Sequence, residues 1–317
     1  MRVIDREEVA RRLTYEVCIP IVRQAMIAFS KGQTRQLLRS VIALADGHMF
    51  GVMPGAMGDR AAFGAKLVSV YPDNFAKGRQ SHQGLVVLFD ADTGAPVCVA
   101  HAGEITAIRT ASASAVATDA LARADAGHLA ILGYGEQAAS HARALLKIRP
   151  LRTVRVWGRS RERCQEFCRR MSTELDIPFA TAASVEEAVG DADIICTVSA
   201  AREPILKGAW VRPGTHVNVV GSSVAGPVEV DVELVARSRF VVDSREGVLS
   251  QGAEFLKAKQ AGAIDDTHIV AEIGQVLAGD IIGRCSSEQI TVYKSLGHVV
   301  QDLASAWALY STADVPA

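Results

Sequence analysis

The sequence has no CxxC pair, no uninterrupted apolar run approaching about 18 residues and no excess of charge of one sign. Each absence excludes something. The six cysteines, Cys18, Cys98, Cys164, Cys168, Cys196 and Cys285, are scattered. Cys164 and Cys168 share an expected helix face but have no second pair. A structural metal wants three or four ligands, so the cysteines read as reduced thiols and no metal is expected. Without a long apolar run there is no candidate membrane helix, and the charged start MRVIDREEVARRL has no apolar core of a signal peptide, so a cytoplasmic location is expected. Basic and acidic residues number 34 and 35, which gives no electrostatic reason to expect nucleic acid or a membrane surface as partner. Any phosphate must be bound locally. No repeat or low-complexity segment is present.

What the chain does have is apolar mass. At 317 residues and 49% hydrophobic composition it can fill two cores, and two domains are expected. Up to about Leu121, short β-like runs end at turn chemistry: Val41–Leu44 before Asp46-Gly47, Ala65–Val70 before Pro72-Asp73-Asn74, and Gly84–Phe89 before Asp92-Thr93-Gly94. That spacing predicts antiparallel strands joined by hairpins. The following ITAIRTASASAVATDALAR predicts a tightly packed helix with Thr106 as its N-cap.

From His128 onward strands alternate with helices: LAILG, EQAASHARALLKI, TVRVW, RERCQEFCRRMSTEL, DIICTVS, THVNVVG and RFVVD. Alternation of this kind predicts a parallel sheet with crossover helices, an α/β fold. The terminal stretch ITVYKSLGHVVQDLASAWALYSTA reads as one helix, with Val300, Leu303, Ala304 and Trp307 on one face, packing back onto the first domain.

The stretch AILGYGEQAASHARAL places Gly133, Gly135 and Ala138 as a GxGxxA pattern between a strand and a helix. Glycine permits the tight turn and close backbone approach to a pyrophosphate, the small third residue lets the helix sit on the strand, and the helix N-terminus offers free N–H groups to the anion. An ordinary βα turn is the alternative. The next strand should end about 20 residues beyond, where a carboxylate would bind an adenosine ribose hydroxyl. Here stand Gly158, Arg159 and Ser160, with Arg163 a turn later. Arginine forks bind a 2′-phosphate that a carboxylate would repel, so NADP(H) is preferred, with NAD(H) as the other nicotinamide cofactor. Arginines at a solvated helix start are the bland reading.

Taken together, LLRSV around Arg39, GVMPGAMG, GAKLVSVYPDN around Lys66, SHQGLVVLFDADTG, EITAIRTASASAVATDALAR, GYGEQA, VWGRS, THVNVVGS, VVDSREG and TVYKSLG resemble the ornithine cyclodeaminase/mu-crystallin family over nearly the whole chain. The resemblance implies a doubly wound Rossmann parallel sheet over 119–294. It also implies a second α+β domain, 1–118 and 295–317, for substrate binding and homodimerisation. Arg39 and Lys66 match the cationic pair that holds a substrate carboxylate, and Arg109 matches a residue bridging cofactor phosphate and substrate. His82 and Gln83 match cofactor-contacting positions, as do Glu136 and Gln137 in the glycine turn, Gly221 and Ser223 in the later loop, and Ser295 and Gly297 near the nicotinamide. Glu246 matches a residue beside the substrate nitrogen. Bottom-up, Arg supplies a planar fork and Lys66 a charge whose pKa burial can lower. The plainer alternatives are an edge-strand lysine, a helix-surface ion pair for Arg109, a structural His82, a loop carboxylate at Glu246 and a turn glycine at 297.

The family's cyclodeaminases carry an aspartate two residues beyond Gly221 as an acid/base group. This chain has Ser223, as the ketimine reductases of the family do, and serine does not take up a proton as a carboxylate does. The expectation is therefore a reductase of the C=N bond of a small imino acid such as Δ1-pyrroline-2-carboxylate or Δ1-piperideine-2-carboxylate. In this reading Lys66 and Glu246 are catalytic, and a related amino-acid dehydrogenase would run the chemistry in reverse. Ornithine cyclodeaminase, or a cofactor-loaded binding protein, are the alternatives. The loop Val224-Ala225-Gly226 is longer than in either branch.

Overall fold

The computed structural model describes residues 1–58 and 62–312. In chain order its elements are β1 (Arg2–Ile4), α1 (Arg6–Arg12), α2 (Tyr15–Ser30), β2 (Arg35–Gln36), β3 (Ser40–Ala43), β4 (Met49–Ala56), β5 (Phe63–Val70), β6 (His82–Phe89), β7 (Pro96–His101), α3 (Ala102–Leu121), β8 (His128–Leu132), α4 (Glu136–Leu146), β9 (Thr153–Trp157) and α5 (Arg161–Leu175). There follow β10 (Phe179–Thr181), α6 (Val185–Val189), β11 (Ile194–Thr197), β12 (His216–Val219), α7 (Val232–Arg237), β13 (Arg239–Val242), α8 (Arg245–Gln251), α9 (Ala253–Gln260), β14 (Ile269–Glu272), α10 (Ile273–Leu277), β15 (Thr291–Lys294) and α11 (Val299–Ser311). No helix among the described residues is long and apolar enough to cross a membrane.

The chain forms two compact units, one of Met1–Ser112 with the segment from His298 onward, the other Ala113–Gly297. The first crossing lies inside α3, where the sequence reading places it after 118. The return lies after Gly297 rather than before 295, and residues 313–317 of the expected terminal segment fall outside the described residues.

The first unit holds a sheet of order β1-β7-β6-β5-β4-β2, with β3 also on β4. Strands β4 to β7 run antiparallel as a meander, while β1 joins β7 in parallel. Burial alternates along them: Met53, Lys66, Val68, Val86, Leu88, Cys98 and Ala100 face inward, and the residues between them stay at least partly exposed. One covered face and one open face is the expected period-2 signature of an antiparallel sheet. Helix α11 packs on β4, β5 and β6 and against α2.

The second unit is an all-parallel sheet of order β10-β9-β8-β11-β12-β15-β13-β14. Its central strands, IICT in β11, HVNV in β12 and TVYK in β15, are buried at every position, as strands covered on both faces must be. The chain leaves β8 toward β9 and β10 on one side and resumes at β11 on the other. That reversal is the switch point of a doubly wound Rossmann sheet, where ligands bind.

Two expectations are corrected. The stretch from Ile290 is not one helix: Thr291–Lys294 is a strand between β12 and β13. The N–H groups of Leu296 and Gly297 are both donated to Asp243, at 2.7 Å each, so α11 starts only at Val299. Thr106 does not cap its helix either. α3 begins at Ala102, and the Thr106 hydroxyl donates back to the Ala102 carbonyl at 2.6 Å from inside the helix.

The core of the second unit includes Phe240, 1% exposed, with its ring 5.7 Å from that of Phe255. Phe240→Ala leaves a cavity there and is expected to lower unfolding free energy by about 3–5 kcal/mol. Urea denaturation of the two proteins measures it.

Candidate active site

In the first unit, strand β5 carries Lys66 on the covered face of the sheet, 3% exposed. Its ammonium donates to Thr106 Oγ1 at 2.6 Å and to Asp302 Oδ1 at 2.9 Å. Arg109, three residues beyond Thr106 and hence on the same side of α3, donates from Nε to the same Asp302 oxygen at 3.0 Å and from Nη1 to Gln301 Oε1 at 2.8 Å. Asp302 is fully buried on α11. Two buried cations thus share one carboxylate, leaving positive charge in excess.

Burial pushes Lys66 down to about 7; the Asp302 carboxylate resists this, and Arg109 and Arg39 add to it. Arg39 lies just before β3, whose first residue pairs with Val52 beside the Met53–Lys66 row. His82 faces the same side of the sheet as Lys66, since Val70 pairs with His82 and Lys66 with Val86. His82 keeps solvent exposure. Packing around it, with Lys66, Arg39 and Arg109 nearby, pushes the imidazole down to about 4. His298, at the N-cap of α11, is pushed to about 4 mainly by burial. Gln83 is on the opposite face of β6, exposed, its amide donating to the Gln80 carbonyl at 3.4 Å. The structure therefore gathers Arg39, Lys66, His82 and Arg109, and leaves Gln83 out of the cluster.

In the second unit every candidate stands beyond the C-terminal end of a parallel strand, so all lie at one sheet edge. Gly133, Gly135, Glu136 and Gln137 follow β8, and Arg159, Ser160 and Arg163 follow β9. Gly221 and Ser223 follow β12, Glu246 follows β13, and Ser295 and Gly297 follow β15. Gly133 has φ +140°, and a Cβ there would lie 2.6 Å from the Val198 carbonyl oxygen, so the β8–α4 turn demands glycine. Gly135 is the N-cap of α4, with buried Ala138 behind it. Ser160 caps α5 by accepting from Arg163 N at 3.3 Å. Arg159 and Arg163 are exposed, and neither guanidinium makes a hydrogen bond or ion pair among the described residues. Glu246 is exposed on the first turn of α8, likewise without a side-chain hydrogen bond.

Beneath these loops lie carboxylates that sequence reasoning missed. Fully buried Glu229 accepts from Thr197 Oγ1, Ser199 N, Ser199 Oγ and Gly221 N, all at 2.7 Å, tying the β11 and β12 loops together. A Cβ on Gly221 would sit 2.4 Å from that carboxylate. Burial still pushes Glu229 and Asp243 above their ordinary values against these donors. Lys294, fully buried on β15, pairs with Glu254 at 2.8 Å and donates to the Ser222 carbonyl at 2.5 Å. The glycine turn, the open N-terminus of α4 and the two arginines fit a dinucleotide: close backbone approach, N–H donors and a cationic socket.

A model of the ornithine cyclodeaminase/mu-crystallin family matches residues 2–315. The chain belongs to that family. It is 37% identical over 314 residues to the ketimine reductase mu-crystallin of Mus musculus, covering 98% of this chain and 96% of that one. It is 32% identical over 315 residues to a Δ1-pyrroline-2-carboxylate reductase of Bacillus cereus, covering 99% and 97%. The solved structure of Thermococcus litoralis Δ1-pyrroline-2-carboxylate reductase, in complex with NADH and L-proline, superposes with a TM-score of 0.95 at 34% identity, covering 99% of this chain and 97% of that chain.

Asp302, Gln301 and His298 were not singled out in the sequence, and Thr106 only as a helix cap, although a lone acid in the apolar run VVQDLASAWAL was a usable signal. Glu229 and Lys294 gave none, the latter because its strand reads as helix. Gly133→Val is expected to remove dinucleotide binding while leaving the far-ultraviolet circular dichroism of the protein intact. Isothermal titration with NADPH and with NADH checks this.

Proposed function

We propose that this member of the family reduces the C=N bond of a small cyclic imino acid, Δ1-pyrroline-2-carboxylate or Δ1-piperideine-2-carboxylate, using NADP(H) in preference to NAD(H). The observation that carries the reading is the buried Lys66–Asp302–Arg109 cluster. Two desolvated cations held by one carboxylate leave charge for one more anion, and a substrate carboxylate supplies it. Arg39 stands near enough to bias Lys66 and adds to that field. Unit by unit, the first would bind substrate and the second would bind the dinucleotide.

Gly133, Gly135, Glu136 and Gln137 would hold the pyrophosphate, and Arg159, Ser160 and Arg163 the 2′-phosphate. His82, Arg109, Gly221, Ser223, Ser295 and Gly297 would complete the contacts to the cofactor, and Gln83, on the opposite face of β6, would not. A bound reduced nicotinamide supplies hydride to the imine carbon. The protein's part is to fix the carboxylate and deliver a proton to the imine nitrogen, because a protonated C=N accepts hydride more readily. Lys66, poised near 7, is suited to that donation, and Glu246 is assigned to the iminium. Ser223 supports reduction over deamination, since no carboxylate stands at that position.

A homodimer is also part of the proposal. The outer face of the first unit's sheet presents Phe50, Val52, Leu67, Leu85 and Val87 at least partly exposed, Leu85 at 44%. Contiguous apolar surface of this kind marks an association site. The buried thiols Cys18, Cys98, Cys164, Cys168 and Cys196 suit a reducing cytoplasm.

The deciding assay follows oxidation of NADPH and NADH separately with the two imino acids, beside ammonia release from ornithine. Turnover faster with NADPH and without ammonia is expected, and no oxidation of either cofactor ends the reading. Arg159→Glu is expected to lower kcat/KM for NADPH by about tenfold or more and to spare NADH, since it trades a phosphate partner for a repulsive charge. Rate should fall as pH rises through about 7, where Lys66 loses its proton. Leu85→Asp should convert the dimer to monomer in light scattering.

A further inference from the structure

The geometry points to Asp302 as the positioning residue of this site: it aims the Lys66 ammonium and keeps its protonated form populated, so the acid of the reaction is the Lys66–Asp302 pair. The inference rests on the reductase reading and deepens it. An ammonium has three N–H donors. Thr106 Oγ1 takes one at 2.6 Å and Asp302 Oδ1 a second at 2.9 Å. The Thr106 hydroxyl spends its own hydrogen on the Ala102 carbonyl, so toward Lys66 it acts only as acceptor. With two of three tetrahedral positions anchored, the direction of the third is fixed, and that hydrogen is left for substrate.

The carboxylate also sets charge. In a dry site a lysine loses its proton unless an anion holds it. The charged and titratable groups facing Lys66 are Asp302 from α11, Arg109 from α3, Arg39 ahead of β3 and His82 from β6, with His298 of α11 and Cys18 of α2 near Arg109 and Asp302. Asp302 is the acid among them. Burial raises it, but Arg109 and Lys66 hold it below the usual carboxylate range, so it stays ionised and does not itself carry the proton. Both histidines, near 4, are neutral above that pH, and the Cys18 thiol, raised to about 11, is neutral below it. Within this cluster Lys66 is the group that changes charge around neutrality. Arg109 is anchored by the same carboxylate and by Gln301, so one residue orients both cations.

The test compares the full-length protein with Asp302→Asn and Asp302→Glu. It reads the pH profile of kcat/KM for imino-acid reduction and, independently, the titration of Lys66 by NMR of lysine-labelled protein, assigned with Lys66→Met. For Asp302→Asn both midpoints should move down together by at least about one unit, a tenfold change in the protonated fraction. At a pH above the new midpoint kcat should fall by about tenfold or more while KM changes less, with part of the rate recovered on acidification. Asp302→Glu should keep the limb closer to 7. A loss of rate with the limb and the Lys66 titration both unmoved would overturn the inference and leave Asp302 a packing residue. Should the Asn variant not fold, Asp302→Ser read in the same way decides: a limb and a Lys66 titration displaced downward together support the pairing, and both unmoved overturn it. Failure of the wild-type protein to reduce any imino acid would refute the reductase reading alone, because the Lys66 titration still reports whether Asp302 holds that proton.

Discussion

One oxygen of Asp302 accepts from two buried cations, Lys66 at 2.9 Å and Arg109 at 3.0 Å, and the chemistry assigned to the first unit depends on that sharing. Burying an ion costs several kcal/mol unless it is paired. Here the pairing is deliberately incomplete in charge, two cations to one anion. The sequence assembles it from three distant places: a lysine on the covered face of an antiparallel strand, an arginine in the small-residue helix α3, and an acid near the start of α11. Each partner alone would be an expensive buried charge; together they form a preorganised, net cationic cluster.

The second unit solves a different problem, holding six loops in register at one edge of a sheet. Parallel strands place all their C-terminal ends together, and buried carboxylates then stitch adjacent loops. Glu229 joins the loops after β11 and β12, and Asp243 joins those after β13 and β15 by accepting from Ser244, Leu296 and Gly297. The exposed arginines after β9 are left to solvent in contrast. That division, rigid backbone near the strand ends and flexible cations at the rim, suits a ligand with a fixed pyrophosphate and a more exposed terminal phosphate.

Legibility followed local rules. The glycine turn, the alternating α/β pattern and the hairpin strands could be read because each depends on neighbours in sequence: turn chemistry, period-2 burial, glycine where a Cβ cannot fit. Strand β15 could not, since TVYK sits next to a helical pattern and becomes a strand only because β12 and β13 leave a slot between them. Thr106 looked like a cap because hydroxyls favour helix starts, yet its hydroxyl is used one turn into the helix as an acceptor for Lys66. The cationic residues of the site were found through family resemblance. Asp302 was not, although its place in an apolar run hinted at it, and Glu229 gave no local sign because its partners lie far away in the chain.

Under the proposed function the positive excess around Asp302 would hold a substrate carboxylate. The most direct measurement is a crystal structure of the protein with NADPH and pyrrole-2-carboxylate, a planar, unreactive mimic of the cyclic imino acid. The carboxylate of the mimic should lie within hydrogen-bond distance of Lys66 Nζ and the Arg109 guanidinium. A mimic bound with its carboxylate turned away from both, or bound only elsewhere on the protein, would contradict it.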